Sequence, residues 1–301
     1  MTELVGQCEL PIAGFLEQCA GEVRAAGQNR WKFELPGAVS LTVTARRNKE
    51  WLWLRAPLAR STKRLAPELL ERLLGQNGEL AGGAKFTLAD DPPRLYVSAE
   101  IPLDEEEADL GARLAEVCEA FRQAAQSFAA GQRSSDANPD GAQISSDEAP
   151  SPALDRERLA LCEQAGWPLA RRAGDHVAIE LDVPGLFCQA LAQPKGARGL
   201  HLRVDLASVP PSGDPGRHAL NVFLLHASHL VRMARATART VGGATVYGWE
   251  VSLDRVAGAA EVQHALSALS VACRLSVREV QVFEQDESIA RSYLMLRGWC
   301  S

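Results

Sequence analysis

The sequence has no apolar run near the roughly 18 residues that cross a bilayer, so no membrane insertion is expected. Its opening, Met1-Thr2-Glu3-Leu4, lacks the basic start and apolar stretch of a secretory leader. No C-x-x-C pair occurs among its seven cysteines. Cys19, Cys118, Cys162 and Cys273 fall instead in apolar helical patterns. Reduced core thiols and a cytoplasmic location are the expectation. G-x-S-x-G and H-E-x-x-H are also missing, and no Cys/His pair has a recognisable local context. The expectation is a non-enzyme without a cofactor; a deep polar pocket with perturbed titratable groups would overturn it.

Two segments that look chemical read better as structure. Gly78 to Thr87 superficially suggests a phosphate loop, but Lys85 does not follow a glycine and the segment runs into a strand. His226 and His229 lie three apart with no Cys or carboxylate at a partnering spacing, so no metal site is expected. Arg232, Arg235 and Arg239 have the i, i+3, i+7 spacing of one helix face. They form a candidate basic patch for an acidic partner or nucleic acid, against the plainer reading of a solvated face. A formal charge of -6 disfavours nucleic-acid binding by the whole chain.

Large apolar residues are also missing from Gly131 to Asp155, Ile144 excepted, where Ser, Asp, Ala, Pro and Gly dominate. Such a segment buries too little surface to offset its ordering entropy and reads as a flexible linker. It divides the chain into 1–130, 131–155 and 156–301.

What is present is repetition. Phe33-Glu34-Leu35-Pro36-Gly37 is echoed by Glu180-Leu181-Asp182-Val183-Pro184-Gly185, and Leu54-Arg55 by Leu202-Arg203. Both the Pro-Gly and the Leu-Arg pairs are 148 residues apart (36 to 184, 54 to 202). Gly82-Gly83-Ala84 and Gly242-Gly243-Ala244 read as the same tight turn, and Glu100 to Asp104 matches Glu250 to Asp254. A period this long means two copies of a whole domain. In the first copy, apolar periodicity predicts a helix around Ile12 to Val23, then strands at 31–35, 41–45 and 51–54. A helix opened by Pro67, strands at 84–88 and 95–101, and a long helix after the acidic run at 104–109 complete it. The second copy follows this order, and 278–301 has no counterpart.

This helix-βββ-helix-ββ-helix order, with the acidic pI near 5.6, resembles the class I type III secretion chaperones (the CesT-like family) and the similar YbjN-like domains. The resemblance covers about Leu10 to Phe128 and Leu159 to Phe283, and rests on pattern. It implies an α+β fold of two tandem chaperone-like domains, each with helices packed on an antiparallel sheet. It also implies a partner protein held as an extended segment without ATP. Two copies in one chain suggest that they pair as the family's two subunits do.

Comparing the copies adds a surface. Leu52, Leu54 and Leu58 align with Leu200, Leu202 and Leu206, which assigns them to the core face by strand alternation. Trp51 and Trp53 then take the opposite face, where the second copy has Gly199 and His201. Tyr96, opposite Leu95 and Val97, is a candidate member of the same patch. Either the other copy covers these aromatics or a partner segment does. A free strand edge offers a second route, by strand addition. The leading expectation is a protein-binding chaperone. The alternatives are a structural or adaptor subunit built on an intramolecular pseudo-dimer, and nucleic-acid binding through the arginine helix.

Overall fold

A computed structural model describes residues 12–20, 22–59, 65–90, 93–103, 107–135, 154–171, 177–209, 215–256 and 258–299. The chain begins with α1 (Ile12–Ala20), β1 (Val23–Gly27), β2 (Arg30–Leu35), β3 (Leu41–Asn48) and β4 (Trp51–Ala59). There follow α2 (Pro67–Asn77), β5 (Lys85–Asp90), β6 (Pro93–Pro102) and α3 (Glu107–Ser135). The second half repeats this with α4 (Arg156–Gln164), β7 (Leu169–Arg171), β8 (Val177–Leu181), β9 (Cys188–Lys195) and β10 (Gly199–Val209). It continues through α5 (Pro215–Leu230), β11 (Arg235–Val241), β12 (Ala244–Leu253) and α6 (Ala259–Gln285) to α7 (Glu287–Leu296).

Local chemistry explains the main elements. In β3, Leu41, Val43 and Ala45 are buried while Thr42 is exposed, and in β4 Leu52, Leu54 and Ala56 are buried. That two-residue period holds one face of the sheet against helices. Pro67 sits at the start of α2, where its missing N–H costs nothing. The helix then buries Leu69, Leu70, Leu73 and Leu74, each contributing about 1.5–3 kcal/mol. Asp155 and Asp286 cap α4 and α7 by accepting backbone N–H groups of the first turn. The β11–β12 hairpin turns on Gly242 and Gly243, both at positive φ, as a tight two-residue turn requires.

The fold is α+β, with two antiparallel six-stranded sheets in the orders β1-β2-β3-β4-β6-β5 and β7-β8-β9-β10-β12-β11. Each sheet carries one strand more than the sequence pattern predicts before the middle helix. The additions are the edge strands β1, largely exposed, and β7, of three residues. Both pairings of the central strand carry an irregularity at matching places, Pro57/Ala59 in β4 and Asp205/Ala207 in β10. These too are 148 residues apart (57 to 205).

Four expectations are corrected. The Gly-Gly-Ala segments are not one turn: Gly82 and Gly83 precede β5, whereas Gly242 and Gly243 join β11 to β12. The place of Gly83 before β11 is taken by Met233, also at positive φ (58°). Glu250 lies across from Arg235, the first residue of β11, while Lys85, the first of β5, lies across from Ser98. Ser98, and not Glu100, is therefore its register counterpart. The tail without a counterpart begins later than 278, because α6 runs to Gln285 as α3 runs to Ser135. Helix α3 also occupies the first residues of the expected linker; positions 136–153 lie outside the described residues.

The halves meet through their middle helices. Helix α2 packs against α5 and β11, and α5 packs against β5. Asn77, fully buried at the end of α2, donates from Nδ2 to Ala236 O (2.8 Å) and accepts Phe86 N–H on Oδ1 (2.6 Å). Asn77→Ala leaves a buried carbonyl and a buried N–H without partners. The expected loss is about 2 kcal/mol, read as a lower urea midpoint at unchanged slope.

Candidate protein-binding surface

The seam between the halves is tied by two reciprocal cations. Lys85, fully buried at the start of β5, donates to Val231 O and Ala234 O (3.2 Å) and pairs with Glu100 (3.0 Å). Arg235, fully buried at the start of β11, pairs with Glu250 (2.8 Å) and donates to Leu80 O, Ala84 O and Gly78 O. Each cation begins its strand and satisfies carbonyls that precede the matching strand of the other half. Burial pushes the Glu250 carboxyl upward, but the His201 hydrogen bond and the Arg235 charge outweigh it and bring the pKa down to about 2. Arg217 of α5 pairs with Glu71 of α2, and Arg113 of α3 with Glu261 of α6 (2.9 Å).

These contacts absorb several sequence candidates. Lys85, the lysine of the glycine-rich segment, is committed to the seam. The three arginines do not form a helix stripe, because α5 ends at Leu230. Arg232 follows in a turn, while Arg235 and Arg239 lie on β11. Arg235 is internal, and Arg239 pairs with Asp205 (2.7 Å). Burial pushes the Cys118 thiol up to about 12 and Cys162 to about 11, so both stay protonated and unreactive.

Trp51 and Trp53 do face away from the core, as comparison of the copies predicts. Trp51 is half-buried and Trp53 is 36% exposed, while Leu52 and Leu54 between and beside them are buried. The Arg232 guanidinium, from the second half, lies over both indoles, 5.6 Å and 5.3 Å from the ring centroids. This places the tryptophans at the rim of the seam, with an exposed cation on their π faces. Tyr96 is on the same sheet face, opposite Pro57, but it is 6% exposed and Arg55 stacks on its ring at 4.1 Å. It is a covered neighbour of the patch, not an open anchor.

The second sheet cannot offer the same pair. A Cβ on Gly199, the position that Trp51 holds in the first sheet, would lie 2.4–2.7 Å from the carbonyl oxygens of Leu253, Lys195 and Asp254. Only glycine fits that approach, so the aromatic rim belongs to the first half.

The strand edges are also distinguished. Strands β5 and β11 face the opposite half's middle helix. Strands β1 and β7 lie at the far ends of their sheets, with no further strand beside them among the described residues. The described helices include none long and apolar enough to cross a membrane.

Residues 12–129 match the model of the Tir chaperone protein (CesT) family. No curated protein matches the chain. Among solved structures it is similar to the HopA1-SchA chaperone-effector complex, at 15% identity over 38% of this chain and 88% of that one, with a TM-score of 0.29. It is also similar to the di-domain ARO/CYC StfQ from the steffimycin biosynthetic pathway, at 10% identity over 95% of this chain and 93% of that one, with a TM-score of 0.15. The family match covers the helix-sheet-helix unit that carries Trp51 and Trp53. The match lies wholly within the first half and covers less than half of the chain.

Proposed function

We propose that this is a non-catalytic protein-binding protein that works as a secretion-type chaperone, holding an extended segment of a partner protein. In this reading, units 1–130 and 156–301 are tandem chaperone-like domains closed into an intramolecular dimer. The observation that carries it is the aromatic rim: Trp51 and Trp53 stand on the outer sheet face of the half that matches a chaperone family. The pairing of units is supported by the identical strand orders, the matching strand irregularities and the reciprocal Lys85 and Arg235 contacts. Such exchange of equivalent contacts is what a two-fold interface produces. An extended segment would bury apolar side chains against the tryptophans and would have β1 or β7 as an edge for backbone pairing.

The test is affinity capture of the tagged full chain from lysate of its source cell, with limited proteolysis of what is retained. A chaperone retains one or two partners through a segment that proteases cut readily once released and that leaves on delivery. A fixed set of folded partners at constant stoichiometry would contradict this reading and assign the chain to a structural assembly.

A further inference from the structure

The outer face of the first sheet carries more than tryptophan. Its registered rows place Arg30 beside Arg46 and Arg46 beside Trp53, and in the next row Lys32 beside Thr44 and Thr44 beside Arg55. Arg30, Lys32, Arg46 and Arg55 are all exposed, and none has an ion-pair partner among the described residues. Arg232 adds a fifth cation from across the seam. Of the carboxylates nearby, Glu22 pairs with Arg24 (3.0 Å) and Glu100 with Lys85, while Glu34 accepts the Thr42 and Ser40 hydroxyls (2.6 Å and 3.2 Å) and keeps its charge.

The second sheet provides the internal control. There Lys195 pairs with Asp254 (2.7 Å), Arg203 and Arg239 with Asp205 (3.4 Å and 2.7 Å), and His201 with Glu250. The second sheet pairs these cations, whereas the first, beyond Arg24 and Lys85, leaves Arg30, Lys32, Arg46 and Arg55 without an ion-pair partner among the described residues. Like charges directly opposite on neighbouring strands are destabilising, so the Arg30–Arg46 pair costs the free protein stability and returns nothing within it. In a chain of net charge -6 this local excess of cations is not a bulk property.

We infer that the outer face of the first sheet selects an acidic, extended polypeptide segment, with apolar anchors seated at Trp53 and carboxylates on Arg30, Lys32, Arg46 and Arg55. This rests on the protein-binding reading above and specifies the partner's chemistry. A polypeptide with spaced carboxylates matches cations spread across strands around one aromatic. A nucleic-acid strand carries a charge at every nucleotide and meets the chain's overall negative field more strongly.

The experiment titrates the full chain by calorimetry with a short unstructured peptide carrying leucines spaced by glutamates. The same peptide with Gln for every Glu, and an oligo-dT strand, serve as comparators. The Glu peptide is expected to bind about tenfold more tightly than the Gln peptide at low salt, with the difference closing as salt screens it. Arg30→Gln with Arg46→Gln should cut that preference severalfold without lowering the thermal midpoint, because it also removes a repulsion. Equal affinity for the Glu and Gln peptides would overturn the charge selection while leaving protein binding intact. Binding of neither peptide would remove the protein-binding reading together with it. Oligo-dT binding more tightly than the Glu peptide would overturn the inference in favour of nucleic acid.

Discussion

Arg235→Ala is expected to cost about 3–5 kcal/mol of stability, the largest effect of any single substitution in the seam. The substitution leaves the Glu250 carboxylate buried beside an empty space, and it strips donors from the carbonyls of Gly78, Leu80 and Ala84. Breaking one side of a buried pair is costly because the remaining charge is unsolvated and, here, keeps only the His201 hydrogen bond. Two further variants separate the components. Arg235→Met with Glu250→Leu removes both charges and should recover part of the loss, while the carbonyls stay unsatisfied. Arg235→Lys keeps the charge but loses the planar fork that reaches a carboxylate and several carbonyls together, so it should fall between wild type and alanine. Urea denaturation of the full chain reads all three. A loss below about 1 kcal/mol for Arg235→Ala would mean that the seam does not depend on this residue.

The second large effect is acid destabilisation through Glu250. Its pKa in the folded chain, about 2, lies below the ordinary value of 4.5, so the folded state holds the proton less tightly than the unfolded state does. The group therefore contributes stability that is fully present above the ordinary carboxylate value. It is lost as pH falls through that value toward about 2. The difference corresponds to about 3 kcal/mol. Glu250→Gln should lower stability at neutral pH and flatten its dependence on pH across that acid range. An unchanged slope in the variant would show that other carboxylates govern the acid transition.

The sequence made the architecture legible where burial leaves a period, and obscured it where a distant partner decides. The alternation of Leu41, Val43 and Ala45, and of Leu52 and Leu54, marks strands because one face is buried and the other is not. Strand β1, Val23-Arg24-Ala25-Ala26-Gly27, has no such alternation because it is an edge strand exposed along most of its length. The spacing of Arg232, Arg235 and Arg239 has helical periodicity, yet the chain turns at Arg232 and Met233. Charge at i, i+3 and i+7 carries no information on where a helix stops. The burial of Arg235 was hidden because its carbonyl partners come from the other half of the chain.

The candidate surface divides the same way. The outward placement of Trp51 and Trp53 follows from aligning the Leu54-Arg55 and Leu202-Arg203 strands, since a shared core face fixes the other face by alternation. The covering of Tyr96 depends on Arg55 from the neighbouring strand, and the capping of the indoles on Arg232 from the other half. Neither contact leaves a local pattern. The unpaired row of Arg30 and Arg46 required the register of β2 on β3, which the strand positions alone did not give.

The most direct measurement is the affinity of the full chain for its retained partner segment in wild type and in the Trp51→Ala, Trp53→Ala variant, with the urea midpoint measured alongside. Both side chains lie at the rim, so the midpoint should change little while binding weakens at least about tenfold, the loss expected when hot-spot aromatics are truncated. Unchanged affinity in a variant that is still folded would contradict the assignment of this sheet face as the binding surface.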